Sequence, residues 1–92
     1  MLEHVIETCL VERVHAIGGA AYKFTSPARR SVPDRLVVLP GGKIAFVECK
    51  RPGGRLTRAQ AREHDRLRAL GCSVWIVDTR ESVDAFIEQA IA

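Results

Sequence analysis

Apolar positions fall on one helical stripe at the start of the chain: Ile6, Leu10, Val14 and Ile17 line up between Leu2 and Ile17. Gly18-Gly19 ends that pattern, so a helix is predicted over 2–17. "AAYKFT" (20–25) then reads as a short strand and "SPARRSV" as a loop. Two apolar runs, Arg35 to Leu39 and Lys43 to Lys50, flank "PGG" and predict strands joined by a turn. "RPGGRL" is a second loop. A helix is predicted over 57–70, where Leu56, Gln60, Glu63, Leu67 and Leu70 share a face and Gly71 supplies the stop. "CSVWIV" (72–77) reads as a buried strand. Asp78 or Thr79 can cap a last helix to about Ile91, with Val83, Phe86, Ile87 and Ile91 inward. The order α-β-β-β-α-β-α predicts an α/β fold with helices on the faces of a mixed sheet. The helix between the last two strands would join them by a parallel, right-handed crossover.

The chain has 92 residues, the size of one domain over 1–92, and 47% of them are apolar. That allows a core and leaves apolar surface for a subunit interface. No apolar run approaches the roughly 20 residues of a membrane span. The charged start "MLEHVIETCLVERVH" is unlike a signal peptide, so the expected location is the cytoplasm. Cys9, Cys49 and Cys72 are odd in number and unpaired in spacing, against a disulfide framework or a Cys-type zinc site. His4, His15 and His64 are scattered and predict no histidine metal centre.

Charge changes the picture more by placement than by amount. The net charge is +3, yet 11 of the 14 basic residues are arginine. Arg29 and Arg30 precede the central hairpin, and Arg51, Arg55, Arg58 and Arg62 follow it. A rim of guanidinium forks suits phosphate oxygens and suggests a nucleic-acid partner. Arg62, Arg66 and Arg68 read as a solvated helix face. At 5% aromatic residues, a stacking platform for single strands is poorly supported.

The stretch "VPDRLVVLPGGKIAFVECK" (32–50) carries the chemistry. A three-residue loop of Pro40, Gly41 and Gly42 pairs Leu39 with Lys43, because Pro presets the turn and Gly42 can be left-handed. Val38 then faces Ile44, Leu36 faces Phe46, and Asp34 faces Glu48. Paired residues share a face. Asp34, Glu48 and Lys50 are therefore expected at the end of the face that buries Leu36, Val38, Ile44 and Phe46. A two-residue turn would separate the carboxylates. Facing carboxylates repel unless a cation lies between them, and a hard divalent metal suits oxygen ligands. Lys50, displaced along the same face, would orient a water or stabilise charge on a phosphate.

At this point "PD", a hairpin and "ECK" resemble the Pro-Asp…(Asp/Glu)-x-Lys pattern of restriction-endonuclease-like nucleases. The wider stretch "KFTSPARRSVPDRLVVLPGGKIAFVECKRPGGRLTRAQ…LRALG" resembles the VRR-NUC domain, the virus-type replication-repair nuclease, over about residues 3 to 80. The small chain is similar to stand-alone phage and bacterial members. The resemblance implies Mg²⁺ or Mn²⁺ held by Asp34, Glu48 and the Cys49 backbone carbonyl, with Lys50 as catalytic lysine. It implies a glutamine after the motif, matched by Gln60, although Thr57-x-x-Gln60 is also a capping box. It also implies a glutamate on the first helix. Among Glu3, Glu7 and Glu12, helical phase turns Glu12 outward, leaves Glu3 in the first turn and places Glu7 at the edge of the inward stripe. Glu7, in "IETCL", is where the family pattern falls.

Cys49 stands where these nucleases usually carry an aliphatic residue, and its side chain is expected to point away from Glu48. Lys23, Arg29, Arg30, Arg51, Arg55 and Arg58 are the candidate DNA contacts. The resemblance further implies structure-selective endonuclease activity on four-way (Holliday) junction DNA by a homodimer in a bacterial cell or phage-infected host. The competing expectation is a non-catalytic, structure-specific DNA-binding module on the same fold.

Overall fold

A computed structural model describes residues 1–92, and its elements follow the predicted order. They are α1 (Glu3–Ala16), β1 (Ala20–Lys23), β2 (Arg35–Val38), β3 (Ile44–Cys49), α2 (Arg58–Ala69), β4 (Val74–Val77) and α3 (Arg80–Ile91). The sheet order is β1-β2-β3-β4. The first two pairings are antiparallel, and β3–β4, joined through α2, is parallel, so the sheet is mixed.

The central hairpin has the register that its turn predicts. Leu36 pairs with Phe46 and Val38 with Ile44. The loop closes with Gly42 N–H donating to Leu39 O at 3.0 Å and Leu39 N–H donating to Lys43 O at 2.8 Å. Gly41 and Gly42 have φ of +88° and +82°, values that residues with a Cβ rarely adopt. A second glycine requirement lies between α1 and β1. A Cβ on Gly19 would lie 2.8 Å from the Val38 carbonyl oxygen, so only glycine lets this turn approach the sheet.

Which face is the core differs from the sequence reading. The buried apolar residues of the hairpin are Val37, Leu39, Ala45, Val47 and Cys49, the opposite parity to the expected set. They pack under α1 and α3 with Ile6, Cys9, Leu10, Val14, Val83 and Phe86. Leu36, Val38 and Phe46 are only half-buried, and Ile44 is 55% exposed. The reason is helix supply: two helices cover one face, whereas the other has only the 12-residue α2. The buried positions of α2 are Glu63 and His64, while Leu70 of the expected stripe is 69% exposed. The strand read as buried, β4, is an edge strand with Ile76 42% exposed.

The stripe on α1 is as expected, with Ile6, Leu10 and Val14 fully buried. On α3, Val83 and Phe86 are buried, and Ala90 rather than Ile91 completes the packing. An Arg13–Asp84 ion pair also links α1 to α3. Phe86 meets Trp75 edge-on, with ring centroids 5.3 Å apart.

Thr79, not Asp78, caps α3. Its hydroxyl accepts from Ser82 N–H at 3.0 Å, and the Ser82 hydroxyl accepts in return from Thr79 N–H at 3.0 Å. Thr79→Ala removes one half of this reciprocal cap and is expected to cost about 1 kcal/mol. In a domain of this size that lowers the thermal midpoint by about 4–8 °C. Calorimetry with an unchanged midpoint would show that the cap contributes nothing to stability.

Candidate active site

The antiparallel ladder carries Asp34 and Glu48 to the same place. Phe24 N–H donates to Asp34 O at 2.9 Å, extending β1–β2 pairing one residue past the strand end. The Asp34 side chain is held on the β3 side, where Oδ2 accepts the Cys49 backbone N–H at 2.8 Å. Glu48 is 1% exposed. Its burial, then a hydrogen bond with Asp34 and the Asp34 charge, push its carboxyl up to about 8, against the pull of the Lys50 ammonium. Without a cation, the Asp34–Glu48 pair therefore retains a proton that an isolated glutamate would have lost.

Lys50 lies beyond the pair on the same face. Its Nζ donates to Gln60 Oε1 at 2.9 Å. The same Gln60 oxygen accepts the Thr57 N–H at 2.9 Å, and the Gln60 N–H donates to the Thr57 hydroxyl at 3.1 Å. Gln60 thus forms the capping box and with the same oxygen holds Lys50. The rigid start of α2 fixes the oxygen that holds the lysine.

A buried histidine completes the α2 side. His64 is fully buried, with Nε2 3.1 Å from Glu48 Oε1 and Nδ1 without a partner. Burial, then the nearby Arg68 charge, lowers its pKa, so the ring is neutral at pH 7. An unfilled acceptor costs less than an unfilled N–H, which assigns the proton to Nε2 as the donor to Glu48. The sequence reading grouped His64 with scattered histidines. The available signal was its position four residues after Gln60, one helical turn along the same face.

Glu7 sits on the α1 side. Its Oε2 accepts from Arg35 Nε at 2.8 Å and Lys23 Nζ at 3.0 Å. Partial burial pushes the Glu7 carboxyl up, but these two hydrogen bonds and charges outweigh it and leave it below its ordinary value. Glu12 is exposed, as its phase predicts, and Glu3 is exposed in the first turn. Arg35, which also donates to Ala21 O at 3.0 Å, is a residue that the sequence reading passed over as the start of a strand. Lys23 is tied to Glu7, not free, yet lines a cavity with Asp34, Arg29 and Arg30. The Cys49 thiol faces the core, away from Glu48. Burial and then the Asp34, Glu7 and Glu48 charges push it up to about 12, which disfavours the thiolate.

Arg29 pairs with Glu63 at 3.2 Å, while Arg30, Arg51, Arg55 and Arg58 are exposed. No trio of His, Cys, Asp and Glu side chains gathers into a metal cluster. Side-chain ligation would therefore fall to Asp34 and Glu48. That set suits Mg²⁺ or Mn²⁺, since Mg²⁺ commonly takes one or two carboxylates and keeps water and substrate oxygens as its other ligands.

A mixed sheet that sets an Asp and a Glu together, with a lysine two residues further along, defines the restriction-endonuclease-like class. A solved "VRR_NUC domain" superposes with a TM-score of 0.88 at 38% identity, covering 94% of each chain. "Putative nuclease p44" of Acyrthosiphon pisum secondary endosymbiont phage 1 is 60% identical over 79 residues, which is 86% of this chain and 85% of that protein. No family model matches the chain. The chain belongs to the VRR-NUC family of nucleases.

Proposed function

We propose that the chain is a Mg²⁺- or Mn²⁺-dependent endonuclease that hydrolyses DNA phosphodiesters, acting as a homodimer on four-way junctions. The single observation that carries the chemistry is the Asp34–Glu48 pair with Lys50 beyond it, anchored by Gln60. Asp34 and Glu48 would hold the divalent cation, which when bound would supply positive charge at the scissile phosphate and make water there more acidic. The chain's own residues supply the positioning. Asp34 is aimed by the Cys49 N–H, Glu48 is steadied by His64, and Lys50 presents its remaining N–H groups to a phosphate oxygen. Because the Asp–Glu–Lys set is complete, this reading is favoured over a non-catalytic DNA-binding module.

Symmetric cutting of a junction needs two sites, which a two-fold dimer supplies. Exposed Tyr22, Ile44, Leu70, Ile76 and Ile91 offer apolar surface for such an interface. The test is cleavage of labelled duplex, flap and four-way junction DNA with Mn²⁺ and with EDTA. Junction cleavage that needs the metal is expected. Failure to cut any substrate would sink the enzyme reading, and a monomer at micromolar concentration would sink the two-site model.

A further inference from the structure

The loop before Asp34 and the outer face of α2 enclose a second basic site. Arg29 and Arg30 from the loop and Arg62 and Arg66 from α2 line one cavity of about 310 Å³, together with Ala28, Ser31, Ala59 and Glu63. Four guanidinium groups meet a single carboxylate there. Glu63 is 8% exposed and accepts from Arg29 Nη1 at 3.2 Å, with Arg66 Nε at 4.0 Å. It docks the loop onto the helix and fixes where Arg29 points, without neutralising the rest. Arg30 and Arg62 have no ion-pair partner. Four exposed guanidinium groups around one shared carboxylate leave a net positive potential that attracts an anion.

We propose that this cavity is a second phosphate site, in which Arg29, Arg30, Arg62 and Arg66 grip a backbone phosphate of the nucleic acid next to the one that is cut. The assignment rests on the nuclease reading and extends it. Arg29 and Arg30 also line the cavity that contains Asp34 and Lys23, so their loop is the wall between the two sites. A strand whose scissile phosphate lies against Asp34 and Lys50 continues over this wall onto α2. Planar guanidinium forks suit phosphate oxygens, and contacts to phosphates place a strand without reading its sequence. The arginines that the sequence presented as a solvated helix face thereby become part of the DNA track.

The test uses the full chain and labelled four-way junction DNA in EDTA, where metal-dependent cutting is suppressed, with binding measured across salt concentrations. For Arg62→Ala/Arg66→Ala, the slope of log affinity against log salt is expected to become shallower by about 2, about 1 for each arginine removed. Arg62→Lys/Arg66→Lys keeps the charge and should retain the slope. Arg80→Ala, an exposed arginine at the start of α3 outside both cavities, should leave it unchanged. An unchanged slope in the double alanine variant, with normal binding by the unaltered protein, overturns the second site alone. An equal fall in the lysine variant points to disrupted packing and also overturns it. Absence of salt-dependent binding by the unaltered protein overturns this site, while the nuclease reading stands or falls separately on the cleavage assay with Mn²⁺.

Discussion

On the proposed nuclease reading, Lys50→Ala is expected to lower metal-dependent DNA cleavage by about 100- to 1,000-fold, the range found when one preorganised charge-stabilising donor is removed. The expectation follows from how the lysine is held. Its Nζ has Gln60 Oε1 at 2.9 Å as its one side-chain partner, leaving two N–H bonds for a phosphate oxygen or an attacking water. That anchor belongs to the first turn of a capped helix, so the ammonium needs little reordering when substrate arrives. Lys50→Arg should not restore the rate, because a guanidinium fork cannot occupy the position of a compact ammonium. Gln60→Ala should give a smaller loss of rate together with about 1 kcal/mol of stability, since it removes the lysine's acceptor and half the capping box. The measurement is single-turnover cleavage at saturating Mn²⁺, alongside DNA affinity in EDTA. Cleavage within a few-fold of normal in Lys50→Ala would remove the lysine from the chemistry. Loss of DNA affinity in parallel with rate would make it a binding residue.

In the metal-free protein, Glu48 is expected to contribute stability that is lost as pH rises from about 4.5 to about 8, and Glu48→Gln to remove that contribution. The sign follows from proton counting. Burial and Asp34 raise the Glu48 carboxyl in the folded state, whereas the unfolded chain releases its proton near 4.5. Between these values the folded state holds one proton more than the unfolded state, so raising the pH favours unfolding. The contribution is present below the unfolded value and lost as pH climbs through the folded one, with a magnitude on the order of 5 kcal/mol. His64 acts in the opposite sense: its depressed pKa contributes stability above the unfolded value near 6.5, lost as pH falls below it. The difference between the unaltered protein and Glu48→Gln isolates the glutamate. Mn²⁺ at pH 8 should restore stability to the unaltered protein and release a proton on binding. The variant should gain much less from the metal. Denaturant unfolding in EDTA at a series of pH values checks the first expectation, and calorimetry in two buffers of different ionisation enthalpy checks the second. A pH profile identical in the two proteins would mean that Glu48 titrates normally.

Much of this site is legible locally because a β ladder converts sequence distance into geometry. Once "LPGGK" closes as a three-residue loop, every later pair follows, and Asp34 must stand across from Glu48 with Lys50 on the same side. Helical phase likewise separates exposed Glu12 from Glu7. Gln60 is legible to the same extent, since the capping box and the approach to Lys50 require the same inward oxygen. The misreadings share a cause. Alternating apolar residues occur at both parities in "RLVVL" and "KIAFVEC", so periodicity alone does not say which side receives two helices. The stripe through Leu67 and Leu70 on α2 likewise predicts a core contact that this helix hardly makes, with Leu70 exposed.

The sequence alone determined the order of the elements, the hairpin register and the grouping of Asp34, Glu48 and Lys50, because neighbours along the chain enforce all three. Tertiary structure alone decided what surrounds them. It placed His64 on Glu48, turned Glu7 to Arg35 and Lys23, and brought Arg62 and Arg66 to the loop of Arg29 and Arg30. Those juxtapositions depend on how α1 and α2 lie on opposite faces of the sheet. Packing of buried surface sets that arrangement, and no local spacing encodes it.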